Sequence, residues 1–82
     1  MDPLGNPIAE RIAEKLSAYL GPNTSRVAVK TFTIKALGRG PETLKLEDVP
    51  QLQAALRPML RTFVGRAYAE VLLGQIGKEL GL

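Results

Sequence analysis

Ile8, Ile12, Leu16 and Leu20 recur at helical spacing, with Ala9 and Ala13 beside them and Glu10, Arg11, Glu14 and Lys15 on other faces. That period predicts an amphipathic helix. Asn6 suits the cap and Pro7 the first helical position, so the helix starts there. Gly21 stops it and Pro22 cannot extend it. Residues 1–5 read as a loose lead-in.

The next segment, Ser25 to Leu37, fits two periods. Val27, Val29, Thr31 and Thr33 alternate with Ala28, Phe32, Ile34 and Ala36 as the two faces of a strand would, and the β-branched content agrees. As a helix, the same residues place Val29, Phe32 and Ala36 on one stripe flanked by Val27, Ile34 and Leu37. Asn23, Thr24 or Ser25 would cap it and Gly38 would end it. Nothing else in the chain reads as β, and an isolated strand leaves its backbone groups unpaired. The expectation is therefore a helix. The alternative is a single strand at 26–36 paired across a dimer, which would make the fold α+β.

Gly38-Arg39-Gly40-Pro41 is a loop that continues to Lys45. Asp48 offers a cap, and Val49, Leu52, Leu56, Met59, Leu60 and Phe63 carry the next apolar stripe. Pro58 lies inside it and predicts a kink or a break. Gly65 is a second joint. From Arg66 to Leu80 a last helix presents Ala69, Leu73, Ile76 and Leu80, with Tyr68 and Leu72 beside them; Gly74 and Gly77 lie within it. The pattern shows no tandem repeat. It predicts one small all-α domain over 1–82, a bundle of three to four short amphipathic helices.

With 82 residues and 45% hydrophobic side chains the chain can fold around a thin core. Aromatics are only 5%, so that core is aliphatic. There is no Cys and no His, which removes disulfides, thiolate chemistry, and the commonest general base and metal ligand. No apolar run approaches the length of a membrane span and no secretory signal precedes the first helix, so a cytoplasmic, non-enzymatic protein with no cofactor is expected.

The formal charge of +3 is concentrated in the middle. Arg26, Lys30, Lys35, Arg39 and Lys45 face one acid there, Glu42. A basic patch attracts polyanions or an acidic protein face. A solvated helix face explains the same residues, and no stacking aromatics or helix-turn-helix pattern accompanies them. Arg57 and Arg61 lie one turn apart, while Arg66 has Glu70 four residues on and can pair along its helix. The Gly38–Thr43 turn lacks the Gly-Lys-Ser/Thr ending of a phosphate loop. Glu47 and Asp48 fit a helix N-terminus, where acids are favoured, and no second catalytic group stands near them in the sequence.

The broad apolar arc of the last helix implies surface left over after folding. Tyr68, Leu72, Leu73, Ile76 and Leu80 are accordingly the candidate interface, for a homo-oligomer, a dimer above all, or for a larger protein partner.

Leu16-Ser17-Ala18-Tyr19-Leu20-Gly21-Pro22, followed by Arg26-Val27 and Val29-Lys30, resembles a small helical segment appended to bacterial serine/threonine kinases and nucleotide cyclases. In that segment a Tyr-Leu-Gly-Pro turn joins two helices. The similarity covers about a quarter of the chain, and Leu46 to Gly65 departs from the pattern. It implies a protein-interaction role in signalling and carries no catalytic residue. The function expected is a self-associating interaction or regulatory module; the alternative is a small nucleic-acid-binding protein using the Arg26–Lys45 surface.

Overall fold

The computed structural model describes residues 4–82 and contains four helices. These are α1 (Pro7–Leu20), α2 (Pro22–Leu37), α3 (Val49–Val64) and α4 (Arg66–Glu79), with single 3-10 turns at Pro41–Thr43 and Leu46–Asp48 between α2 and α3. No strand occurs among the described residues, so the α+β alternative falls and the fold is all-α.

α1 begins as its sequence dictates. The Asn6 Oδ1 accepts from the Ile8 and Ala9 N–H groups at 2.8 and 3.2 Å. The other end of the same side chain does a second job, its Nδ2 donating to the Leu44 carbonyl at 2.8 Å and holding the α2–α3 connection against the start of α1. Residues 4 and 5 are not a loose lead-in. Leu4 is buried, and its N–H donates to the Glu10 carboxylate at 3.0 Å. The remainder of the expected lead-in, 1–3, lies outside the described residues.

Gly21 ends α1 and also begins α2, with Pro22 at the first helical position. Asn23, Thr24 and Ser25 therefore lie inside α2 and do not cap it. The β-branched residues of α2 remain helical because the helix supplies every backbone partner locally, whereas a strand here would have none. The expected stripe holds at its centre, where Val29 is buried and Phe32 packs on the core, but not at its flanks Val27 and Ile34. Ser25, Ala28, Val29 and Thr33 face inward, Phe32 and Leu37 are partly buried, and Val27 and Ile34 point outward.

α3 runs through Pro58 without a break. Pro58 and Ala54 are both exposed, so the carbonyl deprived of its N–H donor can be hydrated. Asp48 does not cap α3 with its side chain. It accepts instead from the Lys45 N–H at 3.0 Å and from Arg39 at 3.1 Å.

Each helix packs on the next along the chain, and α1 also meets α4, so the four close into a ring. Gln51 at the start of α3 donates to the Ala36 carbonyl at the end of α2, and Gln53 of α3 donates to the Leu73 carbonyl of α4, each at 2.9 Å. Lys15 pairs with Glu79, and Tyr19 with Tyr68, which joins α1 to α4. The core between them comprises Ala9, Ile12, Ala13 and Leu16 of α1, Val49, Leu52, Leu56 and Leu60 of α3, and Ala69, Leu72, Leu73 and Ile76 of α4. α2 adds only Val29 to this fully buried cluster.

The structure also shows a repeat that the residue pattern conceals. Gly21 (φ 85°, ψ 157°) and Gly65 (φ 88°, ψ 159°) adopt the same conformation, and each joins two helices alone. Aligned on these glycines, the buried pairs Ile12/Leu56, Leu16/Leu60, Ser25/Ala69, Ala28/Leu72 and Val29/Leu73 coincide. The hairpins α1–α2 and α3–α4 thus follow one plan, carried by burial and not by identity. Apart from the glycines, only Leu16/Leu60 and Val27/Val71 are the same residue.

Thr33 is fully buried, and its hydroxyl alone among the described buried side-chain polar atoms lacks a hydrogen-bond partner. A hydroxyl removed from water without compensation costs about 1–3 kcal/mol. Thr33→Val keeps the shape and deletes that group, so it is expected to stabilise the fold by about 1 kcal/mol. The check is the urea midpoint at unchanged m value. A lower midpoint would mean that the hydroxyl is satisfied in solution.

Candidate interaction surface

The residues expected to form an interface on the last helix are mostly core. Leu72, Leu73 and Ile76 are at most 2% exposed, and Leu80 is partly buried against the same cluster. The wide apolar arc of α4 is real, but α1 and α3 cover it within the chain, because a helix in a closed ring has two neighbours. These three side chains have no surface to offer a partner.

Tyr68 is exposed and turned back onto α1. Its hydroxyl shares a 2.8 Å hydrogen bond with that of Tyr19, and the rings meet edge to face at 5.2 Å. The hydrogen bond that Tyr19 makes to Tyr68, and to a lesser extent desolvation and charge interaction, hold the Tyr19 pKa above its ordinary value. The contact therefore contributes below the usual tyrosine range and is lost as pH rises through the raised value. In the other hairpin Phe63 occupies the place of Tyr19, while Thr24 occupies that of Tyr68. Phe63, expected in the α3 stripe, is 60% exposed.

Two of the five residues of the basic segment are paired within the chain. Arg26 pairs with Glu10 of α1 at 2.9 Å, and Arg39 pairs with Asp48 at 3.1 Å. Lys45 sits in the connection, where its N–H and not its side chain is engaged. Lys30 and Lys35 are exposed on α2 with no ion pair among the described residues. Arg57 and Arg61 converge on Glu70 at 2.8 and 3.7 Å, so Glu70 serves the neighbouring helix and not Arg66. Exposed pairs of this kind contribute up to about 1 kcal/mol each.

The Gly38–Thr43 turn is closed on itself. The Thr43 hydroxyl and N–H both donate to the Gly40 carbonyl, and the Glu42 carboxylate folds over Gly40. A phosphate there would meet a carboxylate. Among the described residues no three acids come together as a metal site, and the Asp48 carboxylate is engaged by Arg39 and the Lys45 N–H.

What the outer face of α2 presents is a short apolar ridge. Val27 and Ile34 are 63% and 48% exposed, two turns apart and about 10 Å along the axis. Thr31 lies between them, and Lys30 and Lys35 flank the ridge on opposite sides. The sequence places Val27 and Ile34 on the flanks of the inward stripe, whereas the structure turns both to solvent and buries Ser25 and Thr33. No protein-family model, curated protein or solved structure matches this chain.

Proposed function

We propose that the chain is a non-enzymatic, cytoplasmic protein-interaction module that docks through the outer face of α2. The observation that carries this reading is the pair Val27 and Ile34, large apolar side chains held outward on one face of a helix. Both belong to a rigid element, so their exposure is built into the fold, and burying them against another protein would recover their hydrophobic contribution. α2 is also the helix least anchored by apolar burial, which leaves its outer face to serve a different purpose. The helix–glycine–helix joint at Tyr19-Leu20-Gly21-Pro22, similar to the turn in the segment appended to kinases and cyclases, agrees with a role in signalling assemblies. The polyanion reading is weaker, since Arg26 and Arg39 are engaged within the chain.

A photo-crosslinking residue placed at Thr31, and separately at Gln75 on α4, tests the role in the cells that make the protein. The expected result is a discrete adduct from Thr31 alone, identified by mass spectrometry and absent when Val27→Ser and Ile34→Ser are also present. Equal adducts from both positions, or none from Thr31, would remove α2 as a docking face.

A further inference from the structure

We infer that the occupant of the α2 face is an acidic amphipathic helix of another protein. This assignment of the partner rests on the docking role proposed above and adds its chemistry. The face alternates in a definite way across its width: Lys30 on one flank, Val27 and Ile34 along the middle, Thr31 and Lys35 on the other flank. A partner helix with apolar residues at every third or fourth position covers the ridge, and carboxylates bordering its stripe reach the two ammonium groups. Among the described residues neither lysine is neutralised within the chain, so the face keeps its positive charge until a partner arrives.

Two other occupants fit less well. A second copy laid face to face would bring Lys30 and Lys35 of both chains together with no acid on either ridge, and like charges at an interface oppose association. A phosphate backbone would satisfy the lysines while leaving Val27 and Ile34 in water, and the face offers no aromatic ring for a base to stack upon.

The fold supplies an internal control. Val71 of α4 is equivalent to Val27 by the hairpin alignment and is 52% exposed. The positions that follow it differ, with Gly74 in place of Lys30, Lys78 in place of Ile34 and Glu79 in place of Lys35. The sister face therefore lacks the second apolar residue and both flanking cations, and Glu79 is itself paired with Lys15.

The experiment follows backbone amide shifts of the labelled protein on titration with a synthetic helical peptide, leucines on one face and glutamates beside them. The same residues in scrambled order and a short DNA duplex are titrated in parallel. The patterned peptide is expected to move amides of 27–35. Its affinity should fall by about tenfold or more with Val27→Ser and Ile34→Ser, and similarly with Lys30→Glu and Lys35→Glu, while Val71→Ser changes nothing. Raising salt from about 50 to about 500 mM should weaken it by several-fold. Equal binding of the scrambled peptide, tighter binding of DNA at this face, or no shifts with the patterned peptide would overturn the assignment. A Thr31 adduct obtained in cells alongside such a failure would leave the docking role standing with a partner of different chemistry.

Discussion

Replacing Ile76 with Asp is expected to leave the chain unfolded at every concentration. Ile76 is 1% exposed and packs in the cluster shared by α1, α3 and α4. A carboxylate placed there must either ionise in an apolar interior or shift its pKa far upward, and either course costs several kcal/mol. A domain of this size is stable by only about 5 kcal/mol, so one such substitution removes most or all of its stability. Circular dichroism and a one-dimensional proton spectrum decide the matter. If Ile76 were an interface residue, the variant would be a folded monomer with a normal thermal transition. A cooperative transition near the wild-type midpoint would return α4 to consideration as a docking surface.

Alanine at the two helix joints is expected to cost nearly as much in combination, for a backbone reason. Gly21 and Gly65 combine a φ near +85° with extended ψ, a region that is essentially closed to residues with a Cβ. Neither glycine has a neighbouring atom within 4 Å of an added Cβ, so the whole penalty is conformational. Each substitution should destabilise by about 1–3 kcal/mol, and because Tyr19 near Gly21 meets Tyr68 near Gly65 the two effects are expected to couple. Gly74→Ala provides the contrast. That glycine lies within α4 with equally open surroundings, and alanine there should stabilise by about 0.5–1 kcal/mol. Urea midpoints for the three single variants give the comparison. Equal costs at Gly21 and Gly65 would follow from the common plan of the hairpins, and a benign Gly21→Ala or Gly65→Ala would contradict the joint geometry.

Much of the fold is local and therefore readable. α1 needs only Asn6, Pro7 and the period from Ile8 to Leu20, because its cap and its apolar stripe are both short-range. α3 is readable in its stripe for the same reason, although Phe63 runs past the end of the core. What failed concerns choices that several helices make together. The stripe of Val29 and Phe32 orients α2 as observed, but hydrophobicity alone also draws in Val27 and Ile34, which are more apolar than the buried Ser25 and Thr33. The observed rotation follows from α2 packing between α1 and α3, where small inward residues allow the backbones to approach.

The candidate site divides similarly. Lys30 and Lys35 were legible as basic, but their distinction from Arg26 and Arg39 was not, because Glu10 and Asp48 reach those arginines only after the chain folds back. The arc of α4 was legible as apolar, and its width stated how much surface had to be buried. It could not state by whom, since covering it requires α1 and α3 to close on either side. By itself the chain determined that helices form, where glycine must interrupt them, and that no Cys or His is present. Only the tertiary structure decided that Val27 and Ile34 remain in water, because their face is what is left when the other helices have satisfied their own apolar stripes.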